Sequence, residues 1–504
     1  MLSYDVAVTI SQNKNSSLVL ALDVGTSSVR AALYDAQGNR VEGTEIKLER
    51  TLTATKDGGA EINADDAVAQ VAEAIDAVLS RSPSLAEKID LAATSCFWHS
   101  LVGVDERGNA VTPVLGWADT RAAIVIDELK NLFDENETHK RTGCCLHASY
   151  LPAKLLWLKR EDESVFNSAV RWLSFAEFLT LKFFGDDTAS VSMASASGLF
   201  DTRKQIWDEE FIEKLGIKTS TLPPIADTNK TFSNLKNEYA VRWSALKNVV
   251  WYPAIGDGAA NNIGAGCAAK NKAALMIGTS GAMRVLWRGE PPAALPPSLW
   301  CYRASHEIVV CGGALSDGGG LYHWMKKSLR LEGTDDELED RIAQMPPDSH
   351  GLTVLPFWAG ERSTGWHSDA TGAVLGLMAH TEPIEILCAA MESVAYRFKL
   401  IADALFEITS PQEIIASGGA LRESPVWTQM IANVSGVALK LSDTREASSR
   451  GAVLLALEKS GKITGIADAP VPTGQVFEPD MSRHSLYQSA LQRHKEFYKL
   501  LIDK

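Results

Sequence analysis

The stretch MIGTSGAMR, residues 276–284, echoes DVGTSSVR, residues 23–30. Both follow short apolar runs, LVLAL before the first and AAL before the second. Both run Gly-Thr-Ser and then reach an arginine. Gly25 and Gly278 stand about half a chain apart in a protein of 504 residues. An apolar run, a tight turn and a second apolar run read as a β-hairpin. Gly-Thr-Ser alone is common in turns. Two copies with matched flanks at half-chain spacing predict two similar α/β domains, each opening with such a hairpin. Glycine lets backbone approach a ligand closely. Successive N–H groups with Ser and Thr hydroxyls form a concavity for phosphate oxygens. Two such turns on facing domains can grip one polyphosphate from both sides.

The flanking sequence supports the pairing. Residues 17–47 read as strand, turn, strand, turn at AQGN, strand. A helical apolar period follows over 65–80, in Ala67, Val68, Val71, Ile75, Val78 and Leu79. Residues 89–97 read as a buried strand, and 100–117 as a hairpin turned at Glu106–Asn109. Residues 122–139, 153–161 and 175–184 read as helices. In the second half, 272–287 is strand–turn–strand, 307–315 a strand, 383–408 a long helix, 413–421 a strand ending in a glycine turn, and 446–459 a helix. The boundary is expected near WYPAIGDG, 251–258. That gives a polar extension over 1–16, a first domain over 17–253 and a second over 254–504.

The net charge of −14 and the lack of a long basic run argue against a nucleic-acid or anionic-membrane partner. They leave room for a small anionic ligand held by local amides and a few cations. No apolar run approaches the ~20 residues of a membrane helix. The seven cysteines include adjacent Cys144 and Cys145 and no C-x-x-C spacing. They predict reduced thiols in a cytoplasmic protein, with no metal site of their own. The P-loop pattern and a well-placed G-x-G-x-x-G are both missing. The two turns also differ. Asp23 stands two residues before Gly25, and Met276 two before Gly278, so only the first offers a carboxylate suited to Mg²⁺ through water.

At this point the chain resembles a known family, the FGGY carbohydrate kinases, of the actin/hexokinase/Hsp70-like fold group. GAVLGL at 372–377, with Glu385-Ile386, Ala389-Ala390 and Met391-Glu392, is similar to the family's C-terminal signature. SYLPAKLLWLKRED at 149–162 is similar to the N-terminal one, with Leu151 where Pro, Ser or Thr is usual. LPFWAGERS at 355–363 and ASGGALRESPVWTQMIANVSG at 416–436 resemble its Phe-x-Gly-Glu-Arg segment and nucleotide-side glycine turn. The resemblance implies two ribonuclease H-like domains around an interdomain cleft and ATP-dependent phosphorylation of a sugar hydroxyl. It places Asp23 on the Mg²⁺ side. Gly25, Thr26, Ser27 and Arg30 would hold phosphates from the first domain, and Gly278 and Thr279 from the second. Gly319, Gly418, Gly419 and Ala420 would border the nucleoside end of ATP. Glycerol kinases have Asn where Glu423 stands here.

Phosphoryl transfer needs a carboxylate near the attacking hydroxyl. Asp257, in AIGDGAANN, matches the family's catalytic aspartate, and the glycine on each side is expected to let the backbone turn sharply. The sugar end is expected in the first domain, on FWHSLVGVDERGNAVTPVLGWADTRA, 97–122. Trp98, His99 and Trp117 offer an amphipathic wall, and Asp119 and Arg121 directional hydrogen bonds. His-Ser-Leu-Val-Gly-Val-Asp, Gly-Trp-Ala-Asp-Thr-Arg and Gly-Thr-Ser-Gly-Ala-Met-Arg resemble gluconokinases more than glycerol kinases. Xylulokinases carry Met-His where Trp98-His99 stands. A carboxylate-bearing substrate such as D-gluconate would need a cation, and Arg121 is the candidate. A ketopentose or polyol acceptor stays open, as does a non-catalytic nucleotide-dependent sugar sensor. A homodimer is compatible with the chain.

Overall fold

In the computed structural model, which describes residues 17–469, 471 and 473–503, the echoing turns join two hairpins of one plan. β1 (Leu18–Val24) is buried at every position and turns through Gly-Thr-Ser into antiparallel β2 (Ser28–Tyr34). An unbroken apolar run up to Asp23 suits a strand covered on both faces. β3 (Ile46–Glu49) pairs antiparallel with β2. α1 (Ala64–Arg81) starts where the Asn63 side chain accepts the Asp66 N–H, and it buries Ala67, Val68, Val71, Ile75 and Val78 along one face. β4 (Ile89–Cys96) then runs parallel to β1. β5 (Val250–Trp251) and β6 (Ile255–Gly256) both pair parallel with β4. The sheet order is β5-β4-β1-β2-β3, with β6 also on β4.

α2 (Asp257–Gly264) leaves the end of β6. The second domain repeats the hairpin as β7 (Lys272–Ile277) and β8 (Gly281–Arg288). β9 (Trp300–Ser305) pairs with β10 (Ile308–Leu315), which pairs with β8. After the long α3 (Pro383–Ile408), β11 (Glu413–Ser417) runs parallel to β7. Then follow α4 (Gly419–Glu423), β12 (Leu439–Ser442), α5 (Ala447–Lys459) and β13 (Thr473–Phe477). The order is β9-β10-β8-β7-β11-β12-β13. Without its outer strands β9 and β13, it matches the first sheet strand for strand.

Two expectations change. The division at 253/254 cuts through the first sheet: Ile255 and Gly256 pair with Ser95 and Cys96 of β4. Asp257 therefore hangs from a first-domain strand. The helix expected over 122–139 is broken at Phe133–Asp134, where the Asp134 side chain accepts the Glu137 N–H and starts a new helix. The 100–117 hairpin forms, turned over Asp105–Asn109, and its Val102–Val104 segment also pairs with Arg171–Leu173. The expected extension over 1–16 lies outside the described residues. All seven cysteines are buried and free.

The domains are joined by α2 and α5, which pack closely. A Cβ at Gly264 would lie 1.8 Å from the Ala447 carbonyl oxygen, and one at Gly451 1.8 Å from that of Ala260. Only glycine permits this approach. Ala452–Leu457 of α5 fill the first domain's core beside β1 and β4. Asn262 of α2 donates to the Arg284 carbonyl of β8, at 3.2 Å, so α2 reaches the second sheet.

Candidate active site

The two Gly-Thr-Ser turns face one cleft of about 400 Å³. Gly25 N–H donates to Ser28 O, and Gly278 N–H to Ser280 O, both at 2.9 Å. Each turn is closed by its own backbone. The Thr26, Ser27 and Thr279 N–H groups have no partner among the described residues. Behind the second turn, Gly319 N–H donates to Gly278 O at 2.8 Å, and a Cβ at Gly319 would come within 2.5 Å of that oxygen. Gly418 has φ +108°, and a Cβ there would come within 2.1 Å of Ile277 O. These glycines, with Gly419 and Ala420 at the start of α4, back the turn and do not line the cleft.

Asp23, at the end of β1, faces the cleft. Burial pushes its carboxyl up to about 6, against the pull of Arg30 and with a further push from Asp257. Arg30 is not free for a phosphate alone: Nη1 lies 3.5 Å from Asp23 and Nε 3.0 Å from Glu446, just before α5.

Asp257 opens α2 in the same cleft, and its Oδ1 accepts the Gly258 N–H at 2.7 Å. Burial raises its carboxyl above the usual range, and the Arg284 charge and this amide oppose the rise. The flanking glycines serve space rather than a sharp turn. Gly256 has φ −63°, and a Cβ on it would fall 1.9 Å from the Trp98 ring. A Cβ on Gly258 would meet Trp98 at 2.5 Å and Arg284 Nε at 2.9 Å.

Trp98, His99 and Trp117 line the cleft. Trp98 is held by Nε1 donating to Ser192 O at 3.0 Å. His99 sits at φ +61° with Nδ1 2.8 Å from Ala196 O. Burial first, then nearby Lys154, pushes its imidazole down to about 3. The ring is therefore neutral, Nδ1–H donates, and Nε2 is left as an acceptor. Asp119 and Arg121 do not line the cleft. Arg121 clasps Asp119 at 2.6 Å and Glu61 at 2.7 Å and lies over Trp157, while Asp119 accepts the Ala60 N–H. Arg121 ties Asp119 to the Ala60–Ile62 strand, and its ion-pair partners are these two carboxylates.

The second domain supplies cleft residues that were not expected from sequence: Arg284, Trp300, Tyr302, Arg362 and Trp366. Trp300 stacks on Tyr302 with centroids 4.2 Å apart, and Tyr302 shares a 2.6 Å hydrogen bond with Tyr150 across the domains. The guanidinium of Arg362 lies 4.8 Å over Trp117. A signal was present in AMRVLW, where a lone cation interrupts an apolar strand. A second cavity of about 530 Å³, bordered by Cys388, Gln429 and Tyr487, has neither turn nor Asp257. Beside it His350, Cys388 and Glu392 converge. Glu392 is engaged there by Tyr396 at 3.0 Å and by His350 at 3.3 Å.

A duplicated fold and two Gly-Thr-Ser turns facing a half-buried aspartate across one cleft are one arrangement, and the family models match it along the chain. The model for the N-terminal domain of the FGGY family of carbohydrate kinases matches residues 18–264, and that for its C-terminal domain 273–458. The chain belongs to the FGGY family of carbohydrate kinases. Its two domains have the ribonuclease H-like actin/hexokinase fold, and it is a sugar kinase. The family match ends its first domain after α2 and so keeps β6, which pairs with β4, within that domain. The gluconokinase of Bacillus subtilis (strain 168) is 26% identical over 97% of this chain and 95% of its own. A gluconate kinase from Lactobacillus acidophilus superposes with TM-score 0.87 at 27% identity, over 96% and 98% of the two chains. A ligand-bound xylulose kinase from the same organism has the same TM-score, identity and coverage. Family likeness therefore leaves the acceptor to the side chains of this FGGY kinase. No helix among the described residues is long and apolar enough to cross a membrane.

Proposed function

We propose that this kinase transfers the γ-phosphoryl group of ATP to a hydroxyl of a sugar acid, D-gluconate giving 6-phosphogluconate. The observation that carries the reading is the position of Asp257, half-buried between the two Gly-Thr-Ser turns and a wall of aromatic side chains. The Gly25–Ser27 and Gly278–Thr279 turns offer amides and hydroxyls to the phosphates. Asp23 fits a hydrated Mg²⁺, because its carboxylate faces the phosphate side and burial leaves it poised for a cation. The ion supplies charge neutralisation on the phosphate oxygens. Asp257 orients the acceptor hydroxyl and takes its proton as the oxygen bonds to phosphorus. Trp98, Trp117 and Trp300 exclude water, and His99 Nε2 accepts from a substrate hydroxyl. The names of the similar gluconokinases and the Gly-Thr-Ser-Gly-Ala-Met-Arg turn favour a sugar acid.

A second reading, a ketopentose acceptor, is favoured by the xylulose kinase of equal structural likeness. A coupled ADP-release assay with MgATP decides between them, using D-gluconate, D-xylulose, L- and D-ribulose, glycerol, L-fuculose and erythritol. Turnover with gluconate and little with the rest is expected. Turnover with a ketopentose alone overturns the acceptor. ATP binding with no turnover on any acceptor overturns the kinase reading.

A further inference from the structure

Arg284 stands on β8, three residues beyond the strand's start and next to the second Gly-Thr-Ser turn. It is buried, at 8% exposed, and it lines the cleft. Among the described residues it has no ion pair within 4.0 Å and donates no hydrogen bond, and its Nε and Nη1 are buried without partners. Other buried arginines of the chain are engaged: Arg303 with Glu290 at 2.7 Å, and Arg397 with Glu361. A buried cation with unmade hydrogen bonds is costly unless something completes it. Its surroundings lie on the acceptor side of the cleft. Its stem passes close to Gly312 and Trp300, and Nε lies beside Gly258 and the Trp98 ring. Asp257 is the carboxylate whose charge acts on it, and Tyr302 and Arg362 are its other charged or ionisable neighbours. Arg362 also lines the cleft. It spends Nη2 on Leu315 O at 2.7 Å and leaves Nε buried without a partner. Two guanidinium groups lining one cleft, each with free donors, make a site for a planar anion with two oxygens.

We propose that Arg284, with Arg362 beside it, forms the subsite for the carboxylate of the acceptor and so sets this kinase's choice of sugar acids over neutral sugars. The inference rests on the proposed function and names the groups that select its substrate class. A phosphate role for Arg284 fits less well, because the turns and Asp23 already define the phosphate end. Arg284 instead shares the surroundings of Gly258 and Gly312 with Trp98 and Trp300. Arg121, tied to Asp119 and Glu61, cannot take this part.

The test compares D-gluconate with its uncharged amide, D-gluconamide, in wild type, Arg284→Gln, Arg284→Lys and Arg362→Gln. Turnover is followed by ADP release, and acceptor binding by calorimetry without nucleotide. In wild type, KM for the amide is expected to exceed that for gluconate by at least about 30-fold, the scale of a lost charge-assisted pair. In Arg284→Gln this discrimination is expected to collapse toward unity through a higher KM for gluconate, with Arg284→Lys in between. Calorimetry is expected to follow the same order. An equal fall of kcat on both acceptors, with discrimination intact, overturns the inference in favour of a role on the phosphoryl group. Discrimination intact in both Gln variants, or a wild type that binds amide and acid alike, also overturns it. Should Arg284→Gln fail to fold, the wild-type comparison and Arg362→Gln decide. A wild type that turns over a ketopentose and no sugar acid defeats the proposed acceptor itself, an outcome seen without any variant.

Discussion

The Asp257 carboxylate is surrounded by groups that pull its proton affinity both ways. Burial raises it and Arg284 lowers it. Only its deprotonated form can accept a proton, so turnover rises with pH through its pKa. The acid limb of kcat/KM is expected above the ordinary 3.8 of an aspartate. Asp23, pushed up to about 6, adds a second titration on the same side. Replacing Arg284 by Gln removes a lowering charge, so the acid limb of the remaining activity is expected to move to higher pH. An unmoved or lower limb contradicts the electrostatic account. Asp257→Asn is expected to keep nucleotide binding and to cut kcat by at least about 10²-fold, the scale of a lost general base. Near-normal turnover would remove Asp257 from that role. The glycines beside it offer a separate test. Gly258→Ala drives a methyl group against Trp98 and Arg284. A loss of about 1–3 kcal/mol in urea unfolding is expected from the overpacking, together with a raised KM for the acceptor.

The elements were largely legible from the sequence because their signals are local. β1 and β7 announce themselves by apolar runs ending in Gly-Thr-Ser, and α1 and α3 by their periodic apolar faces. What failed depended on partners distant in the chain. Ile255–Gly256 is too short to read as a strand, and only its pairing to β4 assigns it to the first sheet. Arg121 sits in a motif-like segment, but its neighbour Glu61 comes from a strand some sixty residues earlier in the chain. Arg284, Tyr302 and Arg362 come from the second domain, and no local pattern says that they meet Trp98 and Trp117. At the same scale, the α2–α5 contact makes a prediction. Gly451→Ala places a methyl group 1.8 Å from the Ala260 oxygen. The helices must part, and a fall in Tm is expected together with slower turnover, because α2 carries Asp257 at its first position. A variant with unchanged Tm and kcat would show that the helices separate freely.

At the scale of the whole molecule, the acceptor cleft is shared. Trp98, Trp117 and Asp257 come from one domain, and Arg284, Trp300 and Arg362 from the other. Binding of both substrates is therefore expected to draw the domains together and to exclude water from the transferred phosphoryl group. Small-angle scattering should register a smaller radius of gyration with acceptor and a non-hydrolysable ATP analogue together than with either alone. An unchanged radius counts against closure. The placing of α5 has a further consequence, for the order in which the molecule is made. Ala452–Leu457 complete the core beside β1 and β4, yet they are translated after nearly all of the second domain. At about 5–20 residues per second on the ribosome, the first sheet waits on the order of ten to forty seconds for this helix. During that interval the nascent first half carries an uncovered apolar face, so the two halves cannot mature one after the other. A ribosome stalled before residue 447 is expected to hold a first half with this face uncovered, and release of the whole chain to let both domains close in one step.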